Sequence, residues 1–281
     1  MRARHHRDLG GRLSAWVEIA GPGEVPLVLL HGGGFDHADF AWGAVMERLT
    51  GRVRMLAPDL PGYGQSAALA PATTIPDLGR WVLDWMDGVG VERCDIGGLS
   101  MGGGVALWLA LEHPERIRRL VLVASYGMMA RAPFHRLARI AGRLPSRAPL
   151  YRAAAASDRL ARLGLRFAFV DPARIPDGTI AELRRVAARQ AARQSFSSFL
   201  RGEMGRHGTV TNLTDDLPDL AQPTLIVHGT KDPLVPVVNA RDAAATIPDC
   251  TYLELPAAHW PLQEFPDETA EAIATLLDLP G

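Results

Sequence analysis

Lysine is almost missing from this chain of 281 residues: Lys231 is the only one, and the other 29 basic residues are arginine. With the heavy use of Ala, Gly and Pro, this reads as coding bias from a GC-rich genome more than as a functional signal. Cysteine occurs twice, at Cys94 and Cys250, too few for a disulfide framework or a cysteine metal site. No apolar run approaches the roughly 18 residues needed to span a bilayer, and the longest, 25–30, has the length of a buried strand. No membrane partner is therefore expected. The balance of 30 basic and 31 acidic residues leaves a net charge of -1, without the global basic footprint of a nucleic-acid binder. No H-E-x-x-H is present, the one stretch that imitates a dinucleotide fingerprint (62–67) opens no clear helix, and neither a metal nor an organic cofactor is expected. Arg2, Arg4, His5, His6 and Arg7 make a basic N-terminus that leads into no apolar h-region. It reads as a frayed terminus and not a secretory signal, and the expected location is cytoplasmic.

What remains is an ordinary globular composition, 47% hydrophobic and 22% charged, which excludes disorder and collagen-like repeats. Short apolar runs alternate with helix-like stretches, the pattern of βαβ units on a mostly parallel sheet. Strands are expected at 26–30, 53–57, 94–98, 117–124, 224–228 and 251–255. Helices are expected at 38–50, 77–87, 100–112 and 267–278. Between 126 and 215 there is only helical text, rich in Ala, Arg and Leu and broken by prolines. The economical reading is one α/β core, 1–125 and 216–281, interrupted by a helical insertion at 126–215. Charge follows the same division: the insertion carries 16 arginines and 6 acids, a net of +10, and the remainder a net of -11. Arginines coating the solvated faces of helices explain this most simply. A substrate bearing a carboxylate or phosphate, steered toward the insertion, is the functional alternative.

The sharpest chemical signal is Gly98-Leu99-Ser100-Met101-Gly102, a G-x-S-x-G between a strand and a helix. A nucleophile on so sharp a turn sits in a strained conformation, and a side chain at either flanking glycine would collide with backbone. The turn also points Ser100 at the positive end of the following helix. His31-Gly32-Gly33-Gly34, at the end of a buried strand, is an HGGG-type turn able to supply a backbone N–H to an oxyanion. Gly33 is the first choice for that donor and Gly34 the second, with the N–H of Met101 as its companion; His31 reads as a turn-stabilising side chain. A serine hydroxyl needs a base, and the base needs an orienting acid. His259 follows the strand at 251–255 and precedes the last helix, whereas Asp232 follows the strand at 224–228. Asp249 and Glu264 compete for the role of the acid. Phe35, Tyr126 and Trp260 are the candidates for lining a substrate pocket.

Together these residues, with Asp59-Leu60-Pro61-Gly62-Tyr63-Gly64-Gln65-Ser66, resemble the α/β-hydrolase superfamily, and the resemblance covers nearly the whole chain. It implies an α/β-hydrolase fold: a mostly parallel central sheet flanked by helices, with an inserted helical lid after the sixth strand. It also implies a Ser100, Asp232, His259 triad and a structural role for the Asp59 to Ser66 loop. That loop mimics a dinucleotide fingerprint, but no helix opens on it. The activity implied is a cofactor-independent serine hydrolase acting on a small-molecule acyl substrate, with a carboxylic ester first and an anionic acyl compound as the alternative that a basic insertion favours. Ser100-Met101-Gly102-Gly103 and His259-Trp260 also resemble the meta-cleavage carbon–carbon hydrolases, although Leu99 stands where that subfamily usually has Asn. Lactonase, thioesterase and acyltransferase chemistry would use the same triad. A ligand-binding or isomerising member of the fold is the reading from a different class. Oligomeric state is not legible.

Overall fold

Short apolar runs with β-branched residues bury both faces when they pair in parallel. The computed structural model describes residues 2–68 and 73–280. In it, β1 (Arg2–Asp8), β2 (Leu13–Ile19), β3 (Leu27–Leu30), β4 (Met55–Pro58), β5 (Cys94–Leu99), β6 (Ile117–Val123), β7 (Thr224–Gly229) and β8 (Cys250–Leu255) form one sheet. Its order is β1-β2-β4-β3-β5-β6-β7-β8. The pairs β1–β2 and β2–β4 are antiparallel and the others parallel. This is the mostly parallel sheet that the resemblance implies.

Helices α1 (Ala38–Arg48), α2 (Ile75–Gly88) and α3 (Met101–Glu112) connect the strands up to β6. Between β6 and β7 lie α4 (His135–Arg143), α5 (Ala148–Ala156), α6 (Asp158–Leu165), α7 (Thr179–Arg193) and α8 (Ser195–Glu203). After β7 come α9 (Val237–Thr246), α10 (Pro261–Glu264) and α11 (Pro266–Leu276). Alternation along the strands divides the core in two. Val28, Leu30 and Ile96 pack with Val82, Trp85 and Val105 of α2 and α3 on one face. Leu27, Leu29 and Val121 pack with Trp42 of α1 and Ile273 of α11 on the other.

The sheet reverses its direction of growth between β3 and β5: from β3 the chain steps to β4 on one side, and from β5 to β6 on the other. The crevice outside the carboxyl ends of such a pair is where open α/β sheets hold ligands. The glycine turn after β3 and Ser100 after β5 both open into it.

The N-terminal reading needs correction. Residues 2–8 are not frayed: β1 pairs with β2 from Arg2–Ile19 to Asp8–Leu13, with His5 and His6 inside the ladder. Its polar sequence suits an edge strand, where one side stays in water and charge discourages further pairing. Helix α2 also begins two residues earlier than expected, because Thr74 caps it reciprocally with Asp77 and Pro76 sits in its first turn. Helix α9 escaped the sequence reading altogether.

Candidate active site

Ser100 occupies the turn between β5 and α3 at φ 52° and ψ -114°, a backbone region that costs a non-glycine residue roughly 1–3 kcal/mol. Three backbone hydrogen bonds hold it there. The Ser100 N–H donates to Val123 O at 2.9 Å, and the N–H groups of Gly104 and Tyr126 both donate to Ser100 O at 3.0 Å. The flanking glycines are sterically required. A Cβ on Gly98 would lie 2.1 Å from Gly102 O, and one on Gly102 would lie 2.5 Å from both His31 O and Leu30 O. The N–H of Met101, first in α3, has no backbone acceptor within the described residues.

Asp232 and His259 come from the loops after β7 and β8. His259 Nδ1 lies 2.7 Å from Asp232 Oδ2, with both residues buried. The second carboxylate oxygen accepts from the N–H groups of Leu234 at 2.8 Å and Val235 at 3.0 Å. Burial alone would raise the Asp232 carboxyl, but the His259 charge and hydrogen bond, the Val235 N–H and His228 together outweigh it. The carboxyl is held below its ordinary range. His228 Nε2 donates to Val235 O at 2.9 Å and so braces the same loop, and burial lowers its pKa. No hydrogen bond joins Ser100 to His259 among the described residues, but both line one cavity. Such bonds often tighten only when substrate is present.

The glycine turn after β3 is held by a buried polar lattice. His31 Nδ1 donates to Gly32 O at 2.7 Å, and its Nε2 accepts the Leu60 N–H at 2.9 Å. Burial lowers its pKa to about 4, which keeps the ring neutral. Asp36, raised by burial to about 6, accepts the Gly32 and His37 N–H groups, both at 2.8 Å. A Cβ on Gly33 would stand 2.8 Å from the Phe196 ring, which would have to shift to admit it. The Gly33 N–H, like that of Met101, has no protein acceptor among the described residues. The Gly34 backbone instead stands against the Tyr63 hydroxyl.

The cavity holding Ser100 and His259 has a volume of about 580 Å³, and Gly33, Gly34, Met101, Phe35, Tyr126 and Trp260 all line it. Phe35 meets Tyr151 edge-on, and Trp260 packs edge-on against Phe40 and Phe169. Tyr126 presents its ring while its hydroxyl donates to Glu203 Oε2 at 2.9 Å. Most of the remaining wall is aliphatic or aromatic and comes from the helices between β6 and β7. Arg147 is the exception, the one arginine of the wall among the described residues. Its guanidinium lies 5.5 Å from the Tyr151 ring centre and 5.7 Å from that of Phe196, and its buried Nη1 has no hydrogen-bond partner among the described residues. Nothing in sequence distinguishes Arg147 from its neighbours in an arginine-rich stretch.

The competing acids lie elsewhere. Asp249 is exposed. Glu264 is buried, but its carboxylate accepts the N–H groups of Val170 at 2.9 Å, Asp171 at 3.2 Å and Ala258 at 2.8 Å. It thereby ties the residue before His259 to the inserted segment, a positioning role that spacing could not reveal. Asp59 is likewise structural: it accepts from the N–H groups of Ala38 at 3.1 Å and Gln65 at 3.0 Å, and pairs with Arg4 at 2.9 Å. Among the described residues, no three His, Cys, Asp or Glu side chains converge as metal ligands would.

Comparison with known proteins bears on the family and the fold. The chain is 30% identical over 260 residues to 2-hydroxymuconate semialdehyde hydrolase of Pseudomonas putida, covering 90% of this chain and 86% of that protein. It is also 30% identical over 256 residues to the dihydrolipoyllysine-residue acetyltransferase component of the acetoin cleaving system from Pseudomonas putida. That match covers 89% of this chain but 62% of the relative's length. A thermophilic esterase from Thermogutta terrifontis superposes with a TM-score of 0.76 at 25% identity, covering 99% of this chain and 98% of the esterase. A family model described as the alpha/beta hydrolase fold matches residues 25–266, and the chain belongs to that family.

Proposed function

We propose that the protein is a serine hydrolase that cleaves a carboxylic ester through an acyl-enzyme on Ser100. The observation that carries this reading is the buried Asp232–His259 pair at 2.7 Å, which shares its cavity with a serine on a strained turn. Asp232 accepts from His259 Nδ1 and so leaves Nε2 as the proton acceptor. His259 takes the Ser100 proton as Oγ attacks the carbonyl carbon, and the developing oxyanion faces the N–H groups of Gly33 and Met101, which have no acceptor among the described residues. Collapse of the tetrahedral intermediate expels the alcohol, which takes its proton from His259. Water, deprotonated by the same ring, then releases the acid. The helices of 126–215 act as the lid that supplies the apolar wall. A wall of this kind with one cation suits an apolar acyl group carrying a single acceptor, carboxylate or carbonyl, held at Arg147.

A second reading, hydrolysis of a carbon–carbon bond beside a carbonyl, is supported by the relatives at 30% and 32% identity named 2-hydroxymuconate semialdehyde hydrolase. It uses the same serine, histidine and oxyanion donors with a carbanion as leaving group. One experiment separates the two. The wild type and Ser100→Ala are assayed against medium-chain p-nitrophenyl esters and vinylogous diketones, with fluorophosphonate labelling to count the reactive serine. The ester reading expects labelling at Ser100, with ester turnover that falls on the order of 10³-fold or more in the variant. Faster turnover of the diketone selects the second reading. A folded Ser100→Ala protein that keeps most of its activity refutes both.

A further inference from the structure

Helix α4 is turned the wrong way for an ordinary surface helix. An amphipathic helix normally buries its apolar stripe and presents its polar face to water. In α4 the buried residues are His135 and Gly142. Its leucine and isoleucine face outward: Leu137 is 65% exposed and Ile140 58%, with Phe134 just before them at 67%. The reason is local. Gly142 packs on α8 so closely that a Cβ would lie 2.9 Å from Leu200, and His135 Nε2 donates to Gly205 O at 3.0 Å. These two contacts fix the inward face and leave the apolar stripe outside.

The exposed apolar surface continues to the mouth of the cavity. Leu150, Leu160, Leu163, Phe167 and Leu234 are all exposed and all line the cavity that holds Ser100, and α4 itself contributes Ala138 to the wall. Of the twelve large hydrophobic residues exposed among the described residues, nine lie between 126 and 215, and four of those nine line the cavity, so the exposed apolar side chains concentrate at its mouth. Its charge is equally one-sided: residues 131–166 carry nine arginines and a single acid, Asp158.

We propose that α4 and the cavity rim form a docking surface for an anionic lipid bilayer. Apolar side chains interspersed with arginine match the headgroup boundary, where the side chains enter the acyl region and the guanidinium groups meet lipid phosphates. A two-fold pairing of this face with its own copy is disfavoured, because it would bring two strongly basic surfaces together. Nucleic acid would use the arginines but leave the leucines in water. Lying on a membrane needs no spanning segment, and among the described residues no helix is long and apolar enough to cross one. The expectation of no membrane partner rested on spanning length, which does not bear on this mode. Docking stands apart from the reaction proposed at Ser100.

The test is cosedimentation of the full chain with phosphatidylcholine vesicles and with vesicles of about three parts phosphatidylcholine to one part phosphatidylglycerol. The expected result is binding to the anionic vesicles only, weakened at about 0.5 M salt. Partitioning should fall at least about tenfold in the double variant Leu137→Ser, Ile140→Ser. Both positions are exposed, so the variant should melt with the wild type, and Arg136→Gln provides a second variant that leaves the apolar stripe intact but binds more weakly. No binding of the wild type to anionic vesicles, equal binding to neutral ones, or undiminished binding of the double variant would overturn the proposal. A concentration-dependent dimer abolished by the double variant would assign the face to a second copy and overturn it as well.

Discussion

Replacing Asp232 with Asn isolates the orienting carboxylate from the rest of the proposed site. The change is nearly isosteric, and the surroundings dictate how the amide must sit. The Leu234 and Val235 N–H groups both donate to Asp232 Oδ1, so the amide oxygen stays there and the NH2 group takes the place of Oδ2, 2.7 Å from His259 Nδ1. The opposite orientation would set donors against two backbone donors. His259 Nδ1 must then accept, which moves the ring proton to Nε2, the atom that has to take the proton from Ser100. A base locked in the wrong tautomer costs on the order of 10⁴ in kcat, about 5.5 kcal/mol of barrier. Substrate binding should change much less, because Asp232 does not line the cavity. The measurement is steady-state kcat and KM at pH 7 on the best ester from the substrate panel, together with a thermal melt. The carboxyl is held below its ordinary value, so its stabilising contribution is complete above 3.8 and disappears as pH falls through the depressed folded value. The stability gap between wild type and Asp232→Asn should therefore narrow in acid. A folded variant within about tenfold of the wild-type kcat would refute the orienting role of Asp232.

Gly98→Ala should cost about 3 kcal/mol or more, since its Cβ would meet Gly102 O at 2.1 Å; a urea midpoint equal to the wild type's would contradict the tight turn. Glu203→Ala should destabilise by about 4 kcal/mol, because it leaves the Ile75 N–H, the Tyr126 hydroxyl and both donors of Thr211 without their acceptor. A loss under about 1 kcal/mol in denaturant unfolding would argue that water replaces the carboxylate freely. Burial lowers the His31 pKa to about 4 from an ordinary 6.5, so the unfolded chain takes up a proton that the folded ring refuses. This linkage erodes stability as pH falls from 6.5 toward 4, and it should vanish in His31→Gln, as paired unfolding curves across that range would reveal.

The rhythm of the six parallel strands, the mostly parallel sheet and the two glycine turns could be read from the chain because each depends on local order. A run such as Leu27-Val28-Leu29-Leu30 must be buried on both faces wherever it lies, and a strand-turn-helix with glycine on either side of Ser100 specifies its own backbone. The polar edge strand β1 was not legible, since its stability comes from pairing with β2 and not from its own hydrophobicity. Pairing decisions between distant residues were settled only by the tertiary structure. Chain order put Asp232 first for the acid, with Asp249 and Glu264 as its nearest competitors. Folding turns Asp232 to His259, leaves Asp249 in water, and gives the Glu264 carboxylate three backbone N–H donors. Arg147 looks like any of the 16 arginines in its segment until two aromatic rings and the cavity enclose it. Helix α4 makes the same point from the other side. Its periodicity states that one face is apolar, but only the close contact of Gly142 with α8 decides that this face looks outward. Periodicity is a property of neighbouring residues, whereas which partner a face or a charge meets is decided by residues distant in sequence.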